Sequence, residues 1–467
     1  MFTRNFHSIF RELACGIALL LTLPGLRAQP AGSAPLVEDL FPQLKPILEK
    51  ALTQSSQMLM RNIDLAQAEA NKVMSDAALM PSVGSYVSYS TSTAAVSANT
   101  DVSSRASGIY YGVSLSQPVF YWGTIKAQAD IAKIGVKVAE KNFAEAYRLL
   151  AVNIRAQYTG LIIKKLSLRN AEFGLKLSQS ALAIEEERLR TGRISPGGII
   201  APRLAVDEAR LGRDRAEAGL DQGIRYFCLS TGLEKLDPAS IPDDLVLPGL
   251  FYDTAYTKPM VARFLSTDIE NTLQAQINRD YIQQANLNYK IARFRLYPKI
   301  GMSAGYSLSN STSASQNTVT QAGVTSQSIN VTASWTIFDG FATKGAKRST
   351  LLTKRNYEKQ LETYLRTTAD QVSDLERQLN FAARAMKLSD TRRDIQGSAV
   401  KLVEQDLVRG VGSQLTVDST RAVSYQTDLN AIAVRADFLS RWAEFLSALN
   451  LDPALKNLPA RYLSHAK

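Results

Sequence analysis

Ile154, Leu161, Leu168, Leu175, Leu182 and Leu189 fall at strict seven-residue steps, and Val372, Leu379, Met386, Arg393, Val400 and Leu407 keep the same step further on. An isolated helix repeats every 3.6 residues. A seam held at seven therefore marks a helix supercoiled against a partner. The helical rhythm spans Thr124 to Arg190, 67 residues. At roughly 1.5 Å per residue it makes a rod about 100 Å long, and no compact globule contains such a rod.

Each rod is interrupted once, at RLRTGRISPGGIIAPR and at DLVRGVGSQLTVDS, where Gly192 and Gly410 supply turns. Apolar periodicity resumes through Leu204, Leu211 and Leu220, and through Leu429 and Phe438 to Leu449. The chain therefore holds two helical hairpins, each with a glycine turn at its far tip. They are copies. A shift of 218 residues brings Val113 onto Val331, Phe120 onto Phe338, Lys126 onto Lys344, Gly192 onto Gly410 and Arg203 onto Arg421, and a shift of 217 brings Gln67 onto Gln284 and Pro81 onto Pro298. A duplicated unit of a little over 200 residues is far longer than a solenoid repeat. The expected organisation is a first repeat over 29–232, with strands near 81–91 and 109–120 and a helical hairpin over 122–230. A proline-rich linker over 233–258 leads to a second repeat over 259–452, with strands near 298–309 and 328–338 and a hairpin over 340–450. A tail over 453–467 ends the chain.

Each copy places a helix ending in LMP or LYP before its first strand, and a Ser/Thr-rich, almost uncharged tract before its second. The tract reads as a solvated loop. In SINVTASWTIFDGFATKGAKRST, residues 328–350, Ile329, Val331, Ala333, Trp335 and Ile337 alternate with Asn330, Thr332, Ser334 and Thr336, the pattern of a strand with one apolar face. After Phe338-Asp339-Gly340 the pattern turns helical with almost no loop between. Strands of about 10 to 12 residues are long enough for a tilted bilayer crossing. Four strands cannot seal a barrel, because closed bacterial barrels begin at about eight and an open edge in hydrocarbon leaves backbone groups unpaired. The sheet must close with sister chains, two giving eight strands or three giving twelve; the competing reading is a soluble sheet edge with polar loops.

The first residues, with Arg4 and Arg11 ahead of an apolar run from Leu13 to Leu23, read as a secretory signal peptide over 1–28. Cys15 lies at the very start of that run, where cleavage would remove almost nothing hydrophobic, so it is not expected to carry lipid, and Cys228 is then a lone small thiol with no disulfide partner. A formal net charge of +11 is spread along helices among Asp and Glu, which indicates a solvated surface and no nucleic-acid partner. His7 and His465 are the only histidines and lie at the two ends, so neither a triad nor a zinc site can be assembled. The GVG of the second tip lacks the lysine of a phosphate loop. Neither an enzyme nor a bound cofactor or metal is expected.

The duplicated order of helix, proline, strand, polar tract, strand and long hairpin resembles the TolC family of outer-membrane channel proteins, as do ALMPSVGSY, RLYPKIGMSAGY, SLSQPVFYWG, WTIFDG and the tips around RTGRIS and VRGVGS. The resemblance implies an α+β membrane protein that trimerises. Four strands per chain would close a twelve-stranded β-barrel, and a coiled-coil α-barrel would extend it across the periplasm. It further implies an outer-membrane exit duct for efflux or type I secretion, with an inner-membrane transporter and a periplasmic adaptor as partners. On this resemblance the strand-to-helix junction involves Pro118, Phe120, Phe338, Asp339 and Gly340. The adaptor-facing tips are Gly192, Arg193, Ile194 and Ser195 with Gly410, Val411, Gly412 and Ser413. Many relatives carry an acidic residue six positions after the tip glycine, where this chain has Gly198 and Thr416. Asp418, two positions on from Thr416, is the candidate pore-constricting charge, against an ordinary acid near a helix start. The alternative function is a secreted coiled-coil scaffold or adhesin without a pore.

Overall fold

The computed structural model describes residues 35–97, 101–247, 254–315 and 318–459, together with Tyr462. The expected signal peptide lies outside them, as do Cys15, both histidines and part of the expected linker. Nine α-helices and four strands are found among the described residues. Helices α1 (Val37–Leu40), α2 (Leu44–Gln54) and α3 (Ser56–Ala77) lead into strands β1 (Ser82–Ser97) and β2 (Asp101–Phe120). The hairpin of α4 (Thr124–Arg190) and α5 (Ile200–Thr231) follows. In the second copy α6 (Thr254–Arg263) and α7 (Leu273–Arg293) precede β3 (Lys299–Ser315), β4 (Thr318–Ser334) and the hairpin of α8 (Ala342–Val408) and α9 (Gln414–Ala448). Both rods are 67 residues long. No described helix is long and apolar enough to cross a membrane.

The period-seven positions form the packed stripe. Ile154, Leu161, Val372, Leu379 and Met386 are buried, and towards the tips Leu168, Leu175, Leu182, Leu189, Arg393, Val400 and Leu407 are half-buried. Burial concentrates in a belt around the middle of the rods. There α1, α2 and the segment after α9 wrap α4 through Val37, Leu44, Tyr147, Tyr158, Phe227, Leu439 and Leu455. A second cluster joins α8 to α9 through Val372, Leu379, Phe438, Trp442 and Phe445. Each such side chain contributes about 1.5–3 kcal/mol on burial.

Inside the belt lies a charge that sequence periodicity hides. Arg155 is fully buried, and its guanidinium donates to Glu38 at 2.8 and 2.6 Å and to Asp452 at 2.6 and 2.8 Å. Burial alone would lower its pKa; the bonds from Asp452 and Glu38 outweigh that and raise it. Burial pushes the neighbouring Tyr147 phenol up.

The sheet is antiparallel with strand order β1-β2-β3-β4. Its strands of 16, 20, 17 and 17 residues run through the tracts read from sequence as loops, which corrects that reading. Uncharged Ser and Thr look like loop by composition, yet they pair as well as any residue once a neighbouring strand is present, and β-branched Thr favours the pleat. In the other direction β4 stops at Ser334, short of the expected Phe338, while its counterpart β2 continues to Phe120.

Candidate functional site: sheet faces, strand-to-helix junctions and hairpin tips

The register sorts side chains across the sheet. Val83, Leu115, Ala304 and Ile329 form one row; Ser85, Val113, Tyr306 and Gln327 the next; Val87, Tyr111, Leu308 and Thr325 a third. Cross-strand partners share a face, so these rows build a largely apolar surface. The alternate rows are Ser82, Ser116, Ser303 and Asn330; Gly84, Ser114, Gly305 and Ser328; and Tyr86, Gly112, Ser307 and Ser326. That face is lined with hydroxyls and glycines. On β3 the apolar band runs from Ile300 to Leu308, nine residues, which is within the roughly nine to eleven that a tilted strand needs to cross hydrocarbon. Beyond it both faces turn polar, as in the row Thr91, Ser107, Thr312 and Gln321.

At each strand-to-helix junction two successive residues take left-handed backbone angles: Trp122 and Gly123 (φ 56° and 72°) in the first copy, Gly340 and Phe341 (φ 62° and 68°) in the second. In the first copy this pair lets helix follow strand after three residues, 121–123, while in the second seven residues, 335–341, lie between β4 and α8. Glycine takes such angles freely; Trp122 and Phe341 do not. Trp122 is held by Phe120, Phe294 and Tyr297, with ring centroids 4.9, 6.0 and 4.8 Å away, and donates from Nε1 to the Pro298 carbonyl at 2.7 Å. Phe341 has Phe338 at 5.5 Å. Asp339 closes the turn, its Oδ2 accepting from the Thr343 N–H at 2.9 Å and from the Thr343 hydroxyl at 2.5 Å. The hydroxyl bond holds the Asp339 carboxyl below the usual aspartate range, aided by Arg295 at 4.0 Å. Pro118 sits where the β2–β3 ladder shifts register before Phe120, as a residue without an N–H must.

Both rods end in the same cap. Gly192 (φ 71°) donates to Leu189 while Arg193 donates to Arg188, and Gly410 (φ 79°) donates to Leu407 while Val411 donates to Asp406. This is the Schellman arrangement, with glycine at the one position that must be left-handed. After it the copies differ. Ser413 caps α9 directly, accepting from the Thr416 N–H at 3.2 Å, whereas in the first copy a 3₁₀ turn over Pro196–Ile199 separates Ser195 from α5. Ile194 is half-buried with Gly198 beneath it, and Val411 is 82% exposed. Arg193, Ser195 and Gly410 are exposed and Gly412 is half-buried.

Asp418 lies in the second turn of α9. Its carboxylate accepts from Gln414 at 3.0 Å and lies 3.8 Å from Arg421. Arg421 also reaches across the hairpin to Glu404 at 2.7 Å, and in the first copy Arg203 lies 3.9 Å from Glu186. Both straps occupy equivalent positions in the duplication. The recurring arginine was visible in sequence; its acidic partner on the facing helix was not. Junction and tip residues are thus gathered at opposite ends of the rods.

A model of the outer membrane efflux protein family matches residues 47–222 and 270–451. No curated protein sequence matches this chain. Among solved structures, the outer membrane channel CmeC of Campylobacter jejuni superposes with a TM-score of 0.69 at 14% identity, covering 93% of this chain and 95% of that one. VceC, an outer membrane protein of Vibrio cholerae, gives 0.63 at 14% identity, with 87% and 96% covered. The open state of the MtrE outer membrane channel of Neisseria gonorrhoeae gives 0.61 at 15% identity, with 88% and 90% covered.

Proposed function

This chain belongs to the outer membrane efflux protein family, and we infer that it is the outer-membrane exit duct of an efflux pump, a passive conduit from periplasm to exterior. The observation that carries the mechanism is a four-stranded sheet with one apolar face and two open edges that continues directly into rods about 100 Å long. In hydrocarbon each unpaired backbone group costs several kcal/mol, so the edges of β1 and β4 must be paired. Three chains close twelve strands, with Val83, Ile329 and their rows towards lipid and the Ser/Gly rows around water. The hydroxyl face carries no fixed charge in its central rows, which suits a bore that passes varied solutes.

Below the membrane the rods carry the same bore through the periplasm, and the turns at Asp339-Gly340 and Trp122-Gly123 make the doorway between strand and helix walls. The tips around Gly192 and Gly410 face the periplasmic adaptor and the inner-membrane transporter, which supplies the energy. Arg421, joined to Glu404 and Asp418, binds the two helices of one tip together, so Asp418 acts at the entrance as part of a strap.

The test is reconstitution. Protein extracted from outer membranes should have the mass of three chains in detergent and make liposomes permeable to small solutes. A single-chain species released with the soluble periplasm would overturn the conduit.

A further inference from the structure

Aromatic rings and cations meet at the foot of the lipid-facing side of the sheet. We propose that Arg293 and Lys290 form a docking site for the anionic headgroup of a phospholipid in the periplasmic leaflet of the outer membrane, one site on each chain. The inference rests on the conduit reading and adds a ligand class to the strand-to-helix junction.

The facing follows from the register. Phe120 pairs with Ile300 and Ile300 with Ala333, so Phe120 closes the lower end of the apolar face. Trp122 packs edge-on against Phe120, and Phe294 stacks on Trp122 with the ring planes 12° apart. The Arg293 guanidinium lies 5.7 Å over the Phe294 ring, within cation–π range. A row of rings that begins against lipid thus ends under a cation. Lys290 stands about one helical turn before Phe294 and brings its Nζ beside Gly123, the residue after Trp122. Trp and Tyr settle at headgroup depth in a bilayer, and here Trp122 and Tyr297 do so with the two cations immediately beneath them. An arginine fork presents paired donors that match a phosphate.

Charge agrees independently. Between Asp280 and Glu358 stand nine Lys and Arg against a single acid, Asp339, and none of the nine falls between Lys299 and Lys344. The net charge of +11 is therefore gathered at and below the foot of the sheet, which corrects the even spread read from composition. Basic segments beside a membrane attract anionic lipid. The acids of this stretch are already engaged, Asp280 with Lys141, Asp339 with Thr343 and Glu358 with Lys354. Lys290 and Arg293 are exposed and form no ion pair among the described residues. Helix α7 is flanked within its own chain, by α4 through Ile134, Val138 and Ile277 and by α8 through the stacked Tyr281 and Tyr357. Its outward face is left to membrane and solvent.

The test uses trimers of the full chain in mixed micelles holding equal amounts of phosphatidylglycerol and phosphatidylcholine, with bound lipid counted by native mass spectrometry. The parent should retain the anionic lipid severalfold over the zwitterionic one. Lys290→Gln with Arg293→Gln should bring that ratio close to one, whereas Arg188→Gln with Arg190→Gln, an equal loss of charge at the far tip, should leave it at the parent value. Equal retention of the two lipids by the parent, a reading that needs no variant, would overturn the headgroup site. An unchanged preference in the Lys290 and Arg293 double variant would overturn the assigned residues, and displacement of the lipid by inorganic phosphate would overturn the lipid in favour of a free anion. Each of these outcomes comes from a complex of three chains and leaves the conduit standing. A single-chain species in the micelles would overturn both.

Discussion

Arg155 holds Asp452 through two hydrogen bonds of 2.6 and 2.8 Å, although 297 positions separate them. The same guanidinium grips Glu38, so one side chain ties the start of the described chain, the middle of the first rod and the segment after the last helix. Removing one partner of a buried ion pair costs about 3–5 kcal/mol, because the other charge is left without compensation. Arg155→Met strands two carboxylates and should be the most damaging change. Asp452→Asn should cost less, since Glu38 still neutralises Arg155. Thermal dissociation of detergent-extracted trimers will rank them, and equal losses would contradict the arrangement.

The two tip glycines have no neighbouring atom within 4 Å of where a Cβ would stand, so replacing them meets only backbone strain. Gly192→Val or Gly410→Val should cost about 1–2 kcal/mol locally and distort the cap. We expect trimer levels on unheated gels to hold while dye extrusion by cells carrying the partner pump falls. Gly410→Asn should be milder, because asparagine tolerates left-handed angles better.

Val331 and Asn330 are adjacent but face opposite sides of β4. Val331→Asp places a charge against lipid, at a cost of up to a few kcal/mol, and should lower the yield of inserted trimer. Asn330→Asp puts the same charge in water and should leave insertion unchanged. Matching yields would show that the faces are assigned the wrong way round.

Asp339 carries the pH dependence of the junction. Its folded-state pKa is depressed by the Thr343 hydroxyl bond, so its contribution is complete above the ordinary aspartate range and is lost as pH falls through the folded value. Trimers of Asp339→Ala should dissociate at a lower temperature than the parent at neutral pH, with the difference narrowing below about pH 4. A constant difference across that window would separate Asp339 from the cap.

Regular elements were legible where one physical period dominated. The step of seven from Ile154 to Leu189 foretold the packed stripe, and the alternation from Ile329 to Ala333 foretold the sheet face. The Ser/Thr tracts misled because strand and loop share that composition, and only pairing separates them. Trp335 to Phe338 read as strand because the apolar alternation runs on past Ser334, where the ladder with β3 ends opposite Lys299. Glu38, Arg155 and Asp452 stayed invisible because helical charges ordinarily meet water, and nothing local distinguishes the one that threads the belt.

That belt sits near the midpoint of the first rod, with Arg190 35 positions beyond Arg155. About 50 Å of helix lies beyond the belt, so the tip stands far from the buried core and is held by the half-buried stripe between its paired helices.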